Sequence, residues 1–97
     1  MPSLDASSRV IRSPELIVAE FDEGLVVLSV RASRYFGFNS TASAILRRME
    51  QPISLGALSE SLAEEFDIAP GDALDAVKTL VYRLVRLGVA STAGRDG

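Results

Sequence analysis

Few residues in this chain could do covalent chemistry. Glu64 and Glu65 form an adjacent carboxylate pair, and the available nucleophiles are serine and threonine hydroxyls. The sequence contains no histidine and no cysteine. A hydroxyl therefore lacks its usual activating base, and thiolate nucleophiles, disulfides and the commonest zinc ligands are absent. Neighbouring glutamates in a helical pattern point to a solvated face rather than to an acid–base pair. These residues predict a protein that is not an enzyme and that carries no resident metal or cofactor.

Recognition chemistry is better represented. Residues 34–46, RYFGFNSTASAIL, run three aromatics into Asn-Ser-Thr and then into small and branched apolar side chains. A strand here becomes a helix with no room for a loop, and such a strand has a free edge to account for. Charge is distributed unevenly around it. Glu60, Glu64, Glu65, Asp67, Asp72 and Asp75 follow one another with no basic residue between them, while Arg31, Arg34, Arg47 and Arg48 gather around the aromatic stretch.

The elements that must position these residues fit one small domain. The 97 residues are 47% apolar and 24% charged, with a net charge of -3, which suits a single compact core near the low end of self-sufficient size. No apolar run approaches the roughly 18 residues of a membrane span, and the first residues lack the apolar core of a secretory signal, so a cytoplasmic location is expected. Residues 1–13 are polar and aperiodic and are expected to form a flexible arm, with the folded domain over 14–90 and a flexible tail over 91–97. Residues 15–22 and 24–30 are short, apolar and β-branched. They predict a hairpin whose turn uses Gly24 for a positive φ. Residues 35–38 predict a third strand, with Phe36 and Phe38 on one face and Tyr35 and Gly37 on the other.

The period then changes. Ala42, Ile45, Leu46 and Met49 recur at helical spacing, with Asn39, Ser40 or Thr41 as the cap and Pro52 as the stop. Ser54 suits the cap of a second helix striped by Leu55, Leu58, Leu62 and Phe66. Pro70 suits the first turn of a third, which runs to about Leu87 and ends at Gly88. On a wheel of about 100° per residue, Val77, Leu80, Leu84 and Leu87 centre the core stripe of that helix, while Leu74, Val81 and Val85 widen it, bordered by Lys78 and Tyr82. Two readings fit the width. The extra residues either wrap a small core or wall a groove beside the third strand.

The order and spacing of Phe36-Gly37-Phe38-Asn39, Ser40-Thr41-Ala42, Ile45-Leu46 and Val77-x-x-Leu80-Val81-x-x-Leu84-x-x-x-Gly88 resemble the PqqD-like proteins, leader-peptide recognition elements of ribosomal-peptide modification pathways. The resemblance covers residues 16–90. It implies an α+β, winged helix-turn-helix-like fold in which a three-stranded antiparallel sheet is followed by three helices (βββααα). It also implies that a precursor leader adds as a fourth strand along Arg34, Tyr35, Phe36, Gly37 and Phe38 and packs on Leu74, Asp75, Lys78, Val81, Tyr82 and Val85. Phe38 stands where the family usually has Leu, and Phe36 where Tyr is frequent, which preserves apolar character but alters pocket shape. The implied partners are the leader and a separate protease and cyclase, as in lasso-peptide pathways, or a radical-SAM enzyme, as in quinone-cofactor synthesis.

A winged-helix DNA-binding protein is the alternative from another class. Its recognition helix needs a basic setting for phosphates, yet the second helix and the start of the third are acidic. Neither nucleic acid nor membrane is an expected partner.

Overall fold

The structure, a computed structural model, describes residues 4–95. In chain order the elements are β1 (Ser8–Arg12), β2 (Leu16–Phe21), β3 (Gly24–Ser29), β4 (Arg34–Gly37), α1 (Ser40–Arg48), β5 (Ile53–Ser54), α2 (Leu55–Phe66), α3 (Pro70–Arg86) and β6 (Ala90–Arg95). They form two antiparallel sheets, ordered β2-β3-β4 and β5-β1-β6. The expected three-stranded meander and three helices are present, so the class is α+β. Three further strands make the element order longer than βββααα.

The meander forms where alternation places it. β2 and β3 pair from Phe21↔Gly24 to Leu16↔Ser29, and β3 and β4 pair from Val26↔Gly37 to Ser29↔Arg34. Gly24 has φ +144°, and a Cβ there would collide with the Phe38 carbonyl oxygen. Both the backbone angle and the close approach of the β4–α1 junction require glycine. That junction takes two residues. The Phe38 N–H still bonds the Leu25 carbonyl at 2.8 Å, while the Asn39 side chain already accepts from the Ala42 N–H at 2.9 Å as the cap of α1. Buried Ser43 completes the joint: its hydroxyl accepts from the Leu25 N–H at 2.8 Å and donates to the Phe38 carbonyl at 3.1 Å. One side chain thereby replaces the strand-to-strand bond that the turn into α1 would otherwise lose.

The second sheet corrects the expected arm and tail. β1 lies between β5 and β6, in registers such as Val10↔Ile53 and Val10↔Thr92, and Val10 is fully buried. The Arg12 N–H donates to the Met49 carbonyl, and the Ser13 N–H to that of Val89. The expectation failed because SRVIR carries little apolar alternation and its partner, ASTAGR, lies some eighty positions away; only the pairing makes either one a strand. Residues 1–3 and 96–97 of the expected arm and tail lie outside the described residues.

The helices close one core, which includes Val10, Val27, Leu46, Met49, Leu58, Leu62, Val77 and Leu84. Ser54 caps α2 by accepting from the Ala57 N–H at 3.1 Å. Asp67 ends α2 in the left-handed region, with φ +52°. Pro70 opens α3, whose last turn is capped by Leu87 and followed by Gly88 at φ +78°. The core-facing residues of α3 are Ala73, Val77, Val81 and Leu84, while Leu80 and Leu87 are only half-buried. The buried stripe is thus rotated from the one centred on the leucines.

Candidate functional site

The candidate site is the free edge of β4. In an antiparallel ladder, alternate residues direct both backbone groups to the neighbouring strand, and the residues between direct theirs away. The Phe38 N–H bonds Leu25 across to β3, so Phe36 and Arg34, in the same phase, also face β3. The N–H and C=O groups of Tyr35 and Gly37 therefore face outward, unpaired along the edge. Gly37 has open space on the face of the sheet where a side chain would be. β2 offers the opposite edge, where the exposed Glu20 is ion-paired to Arg47 of α1 at 2.9 Å.

Beside the β4 edge runs a cavity of about 480 Å³, walled by Arg34 to Asn39 and Ala42 on one side and by Leu80, Arg83, Leu84 and Leu87 of α3 on the other. A second hollow, formed by Thr79, Tyr82, Arg83, Arg86 and Leu87, shares Arg83 and Leu87 with it. At the end of β4 the groove meets a larger apolar cavity of about 670 Å³, with which it shares Gly37, Phe38 and Asn39 and whose far wall is the β2–β3 turn. The geometry is that of an open strand edge beside a groove lined by polar and apolar groups in similar measure.

The structure brings together the five expected strand residues, Arg34, Tyr35, Phe36, Gly37 and Phe38, at this groove. Phe36 and Phe38 are half-buried and Tyr35 is 73% exposed, as their alternation predicts. The expected helix residues sit elsewhere. Val81 is a correction: it has no exposed surface and belongs to the core, so it presents nothing to a ligand. Leu74 and Val85 are half-buried and pack against that core, Lys78 is half-buried and Asp75 is exposed. None of the four borders the cavity beside β4. Tyr82 lies in the adjoining hollow, 40% exposed.

The groove wall is therefore the other flank of α3, with Leu80 and Leu87, expected at the centre of the core stripe, and Arg83, which was not among the expected site residues. A wheel gives the width of an apolar stripe but not which side meets α2 and which faces β4. Leu80 and Leu87 lie beside Arg83 and Arg86, whereas Leu84, equally large, is buried with Ala73, Val77 and Val81.

Charge at the groove is basic. The Arg34 guanidinium lies 5.2 Å from the centre of the Phe36 ring, a stacking worth about 0.5–1 kcal/mol at an exposed site. Arg83 faces it from α3 across the cavity. Of the other arginines around the aromatic stretch, Arg47 pairs with Glu20, and Arg48 with Glu65, Ser61 and the Ala44 carbonyl. Glu65 is thus an ion-pair partner rather than half of a carboxylate dyad. Among the described residues no group of three or more His, Cys, Asp or Glu side chains could hold a metal ion, and no helix is long and apolar enough to cross a membrane.

Residues 24–90 match the family described as coenzyme PQQ synthesis protein D (PqqD), and the chain belongs to that family. A lasso peptide synthetase B1, solved in complex with its leader peptide, is similar at 30% identity and TM-score 0.74, over 84% of this chain and 96% of that one. TbiB1, solved with the TbiA(beta) leader peptide, shares the fold at 16% identity and TM-score 0.77, over 84% of this chain and 94% of that one. The PqqD part of Methylobacterium extorquens PqqCD, a stand-alone recognition element for ribosomally synthesised and post-translationally modified peptides, shares it at 17% identity and TM-score 0.75, over 92% and 95%. No curated protein matches the chain in sequence.

Proposed function

We propose that the chain binds the leader region of a ribosomally made precursor peptide and presents it to a separate modifying enzyme. The leader adds as a strand to β4, bonding the outward groups of Tyr35 and Gly37, and packs alternate side chains against Leu80 and Leu87. Arg34 and Arg83 meet acidic side chains of the leader. The observation that carries this reading is the unpaired β4 edge running beside a groove walled by α3. Leader complexes of two structurally similar proteins support it.

The 30% identity to a lasso peptide synthetase B1 favours a lasso-type pathway, with a separate leader protease and cyclase as partners. In this reading the chain is not itself an enzyme, takes no cofactor or metal and works in the cytoplasm. Its helices and the β5-β1-β6 sheet serve as a winged-helix-like scaffold, and the exposed acids from Glu60 to Asp75 turn nucleic acid away. The test is chemical-shift mapping with the leader of the precursor encoded beside the gene. Shifts should cluster on Tyr35 to Phe38 and on Leu80 to Leu87. Shifts confined to α2 would overturn the docking site.

A further inference from the structure

Gly37 is a glycine that the fold itself does not require. The glycines with positive φ among the described residues are Gly24, Gly88 and Gly94, so no left-handed backbone calls for one here. Crowding does not call for one either, since a Cβ at Gly37 would meet no atom within 4 Å. Glycine inside a strand weakens it through backbone entropy, and it marks places where a ligand or another chain approaches closely. What this one supplies is a gap in the face of the sheet. Val26, its register partner on β3, points to the same side, as does the exposed Phe21 paired with Gly24.

The gap opens into the cavity of about 670 Å³ that reaches the β2–β3 turn. Phe21 and Val26 give it apolar walls, and the exposed Asp22 and Glu23 line its far end. Neither carboxylate has an ion-pair partner among the described residues. This cavity and the groove meet at Gly37, Phe38 and Asn39, and the groove is lined by Arg34 and Arg83. The β4 edge thus divides two hollows of opposite charge. Successive side chains of a strand laid along that edge enter the two in turn, because they alternate between faces. The residue opposite Gly37 stands over the gap, and a long side chain there can reach neighbours about 7–8 Å away.

We propose that this cavity takes one basic side chain, arginine or lysine, of the bound peptide. Its apolar stem lies over Gly37 along Val26 and Phe21, and its cation meets Asp22 and Glu23. The pairing also fixes register. Main-chain bonds accept almost any sequence, but a slip of one residue would turn the basic side chain toward Arg34 and Arg83 and its acidic neighbours toward Asp22 and Glu23. The inference rests on the peptide-binding reading above and names the feature selected: a base on one face of the peptide strand, next to acids on the other.

The experiment measures leader affinity by isothermal calorimetry, using the leader of the precursor encoded beside the gene. Gly37→Val keeps both outward backbone groups and suits a strand, so its melting temperature should equal or exceed that of the parent. Because the gap is filled, leader affinity should fall at least about tenfold. The double variant Asp22→Lys, Glu23→Lys lies on exposed turn positions and tests the cavity independently of Gly37. It should weaken the leader about fivefold, and a leader with one Arg or Lys changed to Glu should bind it better than it binds the parent. Gly37→Val binding like the parent would mean that no side chain fills the gap. Charge reversal without effect, or no charge-swapped leader preferring the double variant, would mean that the occupant is not basic. Each of these outcomes overturns the proposal while leaving leader binding intact, whereas a parent that binds no leader removes the reading beneath it.

Discussion

The two sheets of this domain are built in opposite ways. β2-β3-β4 joins consecutive strands through short turns and leaves an edge open beside α3. β5-β1-β6 joins strands from the start, middle and end of the chain and ties them to the helix ends through the Arg12–Met49 and Ser13–Val89 bonds. An open edge is a hazard for any sheet. Here it is kept on the sheet whose own contacts are local, while long-range pairing closes the rest of the fold. Binding surface and structural closure are thereby assigned to different sheets.

The largest expected effect tests the closing sheet. Val10→Asp would bury a carboxylate without a partner at a position with no exposure, costing upward of about 4 kcal/mol. Thermal denaturation should show loss of the cooperative transition, and retention of the parent melting point would mean that β1 is dispensable. Ser43→Ala tests the joint between strand and helix. It removes the partner of the buried Leu25 N–H and should cost about 1–3 kcal/mol, measured by urea unfolding.

The groove itself is separated from the closed flank of α3 by a pair of charge reversals. Arg83→Glu should weaken leader binding about tenfold, near 1.4 kcal/mol, while Lys78→Glu leaves it within about twofold; fluorescence anisotropy measures both. The opposite ranking would return the groove wall to the Lys78 side. The smallest effect is expected from Gly37→Pro, which deletes one outward N–H without touching the β3–β4 ladder, since proline is tolerated where an edge strand faces solvent. Affinity should drop by about 0.5–1.5 kcal/mol with the melting temperature nearly unchanged. An unchanged affinity would mean that no strand adds at this edge.

The same contrast explains what could be read in advance. The hairpin, its Gly24 turn, the Asn39 and Ser54 caps, Pro70 and Gly88 are local events, each decided by a few neighbouring residues, and the sequence showed them. β1 and β6 were hidden because each is a strand only through the other. Ser43 was hidden for a related reason: it looks like one more small helix residue until Leu25 and Phe38 are brought against it. The strand side of the groove was legible through the alternation of Phe36 and Phe38. The helix side was not, because Leu80 and Val81 are both apolar and only the placement of β4 decides which one meets solvent.

β4 is four residues long, and two of them, Tyr35 and Gly37, turn their backbone groups outward. Such a brief ladder constrains only a short window of any peptide that joins it. Under the proposed function, residues of the precursor beyond that window are free to drift without losing their carrier. A pathway using this domain can diversify its product while the tag that delivers it stays the same.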